Sequence, residues 1–252
     1  MDLFKNFLTW DLSGEVLSSL LAMLIVLIFW IIVGILARFH NPLKKTKGLL
    51  MVGEVVVNYF DSQVKEVMGI QFKGYTGFIV AIASYLFVAF IFGLTGLPSP
   101  MTNLAVPLSL GFIAFSMIHI TSIRYKKWRY FKRYIEPIPV FLPVNLLSMW
   151  SPLISLSFRL FGNAIAGWVL MSLIYQLFSG IPAALIQRMG EAFSDFSLIS
   201  PIATPLLHAY FDLFSGFIQT IVFVSLTMVQ ISLEGPDEED LLNQQSLVKG
   251  GK

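Results

Sequence analysis

Arg159 stands within the apolar run Ser155–Gly167, SLSFRLFGNAIAG, and no acidic residue occurs between Glu136 and Glu191 to neutralise it. An arginine near a bilayer centre costs about 2.5 to 3.5 kcal/mol on insertion scales. Arg159 lies about twenty residues from either end of its apolar stretch, too far for its head group to snorkel to the interface. The charge therefore needs a partner on another helix or another chain, the bland alternative being a guanidinium pinned to backbone carbonyls. Ser155, Arg159 and Asn163 follow the i, i+4 rule and form one polar stripe. On the last apolar stretch His208, Asp212, Ser215, Gln219 and Gln230 recur at steps of four, three, four and eleven, which places them on one helical face. Such a face is the wall of an aqueous path or a seam against another polar helix. Two facing stripes could enclose water, with the Gln219 amide or the Asp212 carboxylate orienting the guanidinium.

These residues must be positioned by membrane helices. The chain has 252 residues, 56% hydrophobic and 13% charged, with a mean hydropathy of +0.76. That composition is outside the soluble range. The net charge is +2 and the basic residues gather in two short loops, ARFHNPLKKTKG and RYKKWRYFKRY, a pattern of cytoplasmic anchors and not of a nucleic-acid surface. With no cysteine there is no disulfide, thiolate site or cysteine nucleophile.

The reading is an all-α polytopic membrane protein with about five membrane helices plus an interfacial amphipathic helix, the last two membrane helices long and tilted. It forms one membrane domain over residues 1–252, beginning with an outer N-terminal segment (1–17) and a first span (18–37). The span is too long for a signal-peptide core and no small-residue cleavage site follows it, so it is retained. An interfacial helix (48–69) carries Glu54, Asp61, Lys65 and Glu66, and a helical hairpin (75–123) turns through GLPSPMTN. The arginine-bearing region (138–186) exceeds the ~20 residues of one perpendicular crossing, so Pro143 and Pro152 break it or it runs steeply tilted. A last helix (201–234) and a polar, acidic tail (235–252) complete the chain. The positive-inside rule places the N-terminus outside and the C-terminus in the cytoplasm.

No G-x-S-x-G, H-E-x-x-H or P-loop occurs, and His40, His119 and His208 lie in separate segments. His119 reads as interfacial. Neither a cofactor nor a metal is called for.

At SLSFRLFGNAIAG the chain resembles subunit a of the F-type ATP synthases, with arginine, Leu-Phe-Gly-Asn and Ala-Gly in the family's order. PVNLL at Pro143–Leu147 and GFIQTIVFVSLTMVQIS at Gly216–Ser232 extend the likeness, which covers about residues 18 to 234. The resemblance implies a stator channel in the bacterial plasma membrane. It would work against a ring of c subunits beside peripheral-stalk b subunits, within the whole synthase complex and surrounded by lipid, with no nucleic acid bound. Arg159 would face the ring, keep each passing carboxylate ionised and block leakage between two offset half-channels. Gln219 would pack beside it. Asp212 would serve the outer half-channel, where relatives often carry a glutamate or histidine, and Asn163, Ser155, His208 and Ser215 would line the ion path. Nine residues after the arginine, where many bacterial relatives have a glutamate and mitochondrial ones a histidine, this chain has Trp168, a half-channel wall that cannot titrate. The hairpin loop and the segment before Arg159 likewise lack the family's acidic residues.

Two other classes compete. A proton-coupled secondary transporter would use Arg159 for an anionic substrate, and it predicts internal repeats and discontinuous helices that are not seen. An intramembrane hydrolase using a serine and His208 would need a base in the same plane, and no motif supplies one.

Overall fold

The computed structural model describes residues 13–41, 45–95, 97–127, 130, 142–186, 206–207 and 209–236. Among them every regular element is helical: α1 (Gly14–Phe39), α2 (Leu49–Val67), α3 (Thr76–Ile91), α4 (Ala105–Lys126), α5 (Leu142–Ile186) and α6 (Ser215–Leu233). Short 3₁₀ turns at Ile70–Tyr75, Phe92–Thr95 and Pro100–Thr102 bracket α3, and a π turn at Ala209–Phe214 leads into α6. Among the described residues five helical segments are long and apolar enough to cross a membrane, and α2 is not one of them. The chain is an integral membrane protein. The loop between the last two helices (187–205), residues 237–252 of the polar tail and His208 lie outside the described residues.

Apolar periodicity cannot say which face of α1 packs, because the helix is apolar all round and most of it faces outward. Its few polar atoms decide instead. Trp30 Nε1 donates to Ser84 Oγ at 3.1 Å, and Ser19 Oγ and Tyr85 OH share a hydrogen bond of 2.7 Å. Both contacts dock α1 on α3. The amphipathic α2 lies against the start of α3, where the Thr76 hydroxyl donates to Asp61 Oδ1 at 3.0 Å and Lys65 pairs with Asp61. Hydrogen bonding from Lys65 holds the Asp61 carboxyl below its usual range, with further help from Thr76 and from the charges of Lys65 and Lys73. Its contribution to this joint is complete above the ordinary carboxylate pKa and is lost as the pH falls through the lowered value.

The core runs along α3, α4 and α6, with Ile79, Leu86, Ala114, Phe223 and Ile231 fully or nearly fully buried, and Leu156 and Leu160 of α5 join it. Close approach depends on two glycines. A Cβ on Gly216 would fall 2.6 Å from Phe90 Cβ, and one on Gly111 would meet the Ser157 hydroxyl and lie 3.2 Å from the Leu153 carbonyl. Gly216→Val should therefore separate α3 from α6 and destabilise the chain by about 1–3 kcal/mol, the usual range for overpacking. Gly34→Val, whose Cβ would meet nothing within 4 Å, is the control, and thermal unfolding in detergent compares the two.

At the far end of α6, Glu234 pairs with Lys126 at 2.8 Å and accepts the Ser122 hydroxyl at 2.8 Å, tying α6 to the end of α4. The sequence reading did not single out this joint. A glutamate directly after an apolar helix, with basic residues closing another, is the signal that could have found it.

Over its described residues, 142–186, the arginine-bearing region is one unbroken helix. Pro143 falls in its first turn, where a missing N–H is no loss, and α5 continues through Pro152. Its 45 residues rise about 67 Å, more than twice a 30 Å hydrocarbon core, so α5 reaches well past the perpendicular span or lies strongly tilted.

Candidate functional site: an uncovered arginine and a neighbouring cavity

Leu153, Leu156, Ser157 and Leu160 turn one side of α5 to its neighbours α4 and α6. Arg159, Ser155, Gly162 and Ala166 are exposed on the other side. Among the described residues no carboxylate pairs with Arg159.

The stripe Ser155–Arg159–Asn163 does not stay on one line. Each step of four residues advances about 40° round an ideal helix, so Asn163 has turned from the open side toward α6. There its Oδ1 accepts the Ser215 hydroxyl at 2.9 Å. This bond joins the two polar stripes one turn from Arg159. On α6 the Gln219 and Gln230 side chains are half-buried, and their Oε1 atoms are buried with no partner. Thr220 and Thr227 satisfy their hydroxyls within the helix, on the carbonyls of Gly216 and Phe223.

Asp212 sits in the π turn Ala209–Phe214. A π turn carries an i→i+5 bond and changes the helical register, so the regular steps counted from the sequence do not carry unchanged from Gln219 back to Asp212. π turns recur at functional sites, and no glycine or proline marks this one. His119 lies against Phe115, its ring centroid 3.9 Å from that ring, with Nδ1 donating to the Phe115 carbonyl at 3.1 Å.

Beyond Asn163 a cavity of about 660 Å³ opens between α5, the hairpin loop and the start of α1. Asn163, Trp168, Ser172, Phe211 and Thr102 are among its walls, and so is Glu15, which the sequence reading did not include. Trp168 is 66% exposed and borders this space, about half a turn round α5 from Arg159.

These features define an integral membrane protein of all-α architecture with a polar seam between its last two helices and an intramembrane cation left uncovered. The match to known proteins is specific. The family model described as ATP synthase A chain matches residues 16–232, and the chain belongs to that family. It is 30% identical to ATP synthase subunit a of Streptococcus agalactiae serotype III over 248 residues, covering 91% of this chain and 93% of the relative. To ATP synthase subunit a of Mycoplasma genitalium it is 29% identical over 225 residues, 85% of this chain and 77% of the relative. For that of Bacillus pumilus the figures are 25% over 244 residues, 92% and 95%. The protein is accordingly a membrane-sector subunit of an F-type ATP synthase.

Proposed function

We propose that the chain conducts the coupling ion, a proton in the first instance, through two offset half-channels against a rotating ring of c subunits, held by the peripheral-stalk b subunits. It would thereby link the transmembrane gradient to ATP synthesis or hydrolysis without catalysing chemistry itself. The observation that carries this reading is the uncovered Arg159. A guanidinium on an open helix face inside a membrane needs a partner or water against it, no carboxylate among the described residues supplies one, and a ring carboxylate would.

Charge physics then gives the cycle. Opposite Arg159 a ring carboxylate is favoured ionised, and away from it, facing lipid, the same carboxylate is favoured neutral. Each ring subunit must therefore lose its ion before passing the arginine and gain one after it. A cation cannot cross directly between the half-channels, because the fixed positive charge of Arg159 repels it. The orphaned Gln219 Oε1 supplies an acceptor for the guanidinium, and Ser155 and Asn163 extend the polar surface on either side of it. The cavity bordered by Asn163 and Trp168 serves as the outer half-channel, with Asp212 loading ions, Ser215 beside Asn163 and His208 preceding them. Gln230 belongs to the opposite, cytoplasmic half. The N-terminus is outside and the C-terminus cytoplasmic.

Gly162 tests the contact. A Cβ there would meet nothing within 4 Å of this chain, yet the residue is exposed one turn from Arg159. Gly162→Leu should leave thermal stability of the isolated chain unchanged while reducing gradient-driven ATP synthesis by the assembled complex at least roughly tenfold, the scale of one clash of 1–3 kcal/mol. Normal coupling in this variant would mean the ring packs elsewhere.

A further inference from the structure

The outer cavity has an acid at its mouth that comes from the opposite end of the sequence. Glu15 lies in the first turn of α1, and that turn abuts the hairpin loop, since a Cβ on Gly14 would stand 3.2 Å from Pro98 Cγ. Asn103 Nδ2 donates to Ser13 Oγ at 3.2 Å, and both side chains are polar neighbours of the Glu15 carboxylate. Loop and helix thus hold the carboxylate at the rim of the cavity that Asn163, Trp168 and Tyr175 line along α5. From Tyr175 to Asn163 is about 18 Å of helix, so the cavity runs from the rim to within one turn of Arg159. Among the described residues lining it, Glu15 alone carries a formal charge, and Tyr175 is the other titratable group. Trp168 occupies the wall without one.

We infer that Glu15 is the cation-collecting group of the outer half-channel, a positioning residue that concentrates the coupling ion at the mouth and feeds it past Tyr175 and Ser172 toward Asn163. The inference rests on the proposed ion-conducting function. A low-dielectric cleft carrying one sign of charge raises the local concentration of its counter-ion by roughly 10- to 1,000-fold. The charge missing at Trp168 is thereby supplied from another helix. A carboxylate in a first turn also complements the helix dipole, but glutamine keeps most of the side chain's size and hydrogen bonding while removing the charge.

The test uses the complete synthase in sealed vesicles, with gradient-driven ATP synthesis measured as the outer concentration of protons, and separately of sodium, is varied. Glu15→Gln should raise the half-saturating concentration of the coupling ion roughly tenfold, the low end of such enrichment, and leave the maximal rate in place. Glu15→Asp should stay close to the native enzyme. An unchanged half-saturation, or a fall in maximal rate alone, overturns the inference. Because the chain has no native cysteine, Trp168→Cys can be probed with a membrane-impermeant thiol reagent. Labelling from the outer side is expected, and labelling from the other side or none at all contradicts a mouth at Glu15. Arg159→Ala in the same preparation separates the two levels. If it still couples, the ion-conducting reading fails; if it is dead while Glu15→Gln is native-like, the mouth alone is wrong.

Discussion

Arg159→Ala should abolish ion-driven ATP synthesis while the complex still assembles, because this side chain is exposed on the open face of α5 and pairs with no carboxylate among the described residues. Removing the charge removes both its effects: ring carboxylates opposite α5 are no longer held ionised, and ions gain a direct route between the half-channels. Vesicles carrying the variant should therefore leak the coupling ion and make no ATP above background. Arg159→Lys should fail as well. A point ammonium keeps the charge but lacks the planar fork that can hold a ring carboxylate and the Gln219 oxygen together. Near-normal coupled synthesis in the lysine variant would contradict the role assigned to Arg159.

The second large effect belongs to Asp212. Asp212→Asn is expected to slow ion translocation by about 100-fold or more, the usual contribution of a positioned proton-transfer group. Asp212→Glu should keep much of the rate because a titrating carboxylate survives. Trp168→Glu should be tolerated on its own and should recover part of the rate lost in Asp212→Asn, since Trp168 borders the cavity that Phe211, the neighbour of Asp212, also lines. A double variant as inactive as Asp212→Asn alone would remove Trp168 from the ion path. Full conduction by Asp212→Asn would move the path to His208 or Glu191. Rates of passive ion flux and of driven synthesis, taken together, distinguish these outcomes.

What could be read ahead of the structure follows from how each residue signals. Arg159 was legible because a charge amid apolar residues has few structural reasons to exist. The five long apolar helices, and an amphipathic α2 that is not one of them, were legible from hydropathy and charge alone. The docking of α1 was not, because a helix apolar on every face gives no period, and two part-buried polar contacts to Ser84 and Tyr85 decide its neighbour. The break considered at Pro143 and Pro152 did not occur, since a first-turn proline suits a helix and one lost bond does not end a long one. The steps that put Asp212 in line with Gln219 assumed a uniform α-helix, and the π turn changes that register. Glu15 was passed over because its place beside Trp168 depends on α1 meeting the hairpin loop, a tertiary contact with no local trace in the sequence.

The face that Arg159 occupies can be tested by cross-linking, since the chain has no native cysteine. Cysteines placed singly at Ser155, on the open side of α5, and at Phe112, exposed on α4, would be oxidised in assembled complexes whose ring subunit carries one cysteine beside its mid-membrane carboxylate. The account predicts a disulfide between the chain and the ring from Ser155→Cys and none from Phe112→Cys. A disulfide from Phe112→Cys with none from Ser155→Cys would place the ring against α4 and contradict the claim that Arg159 faces it.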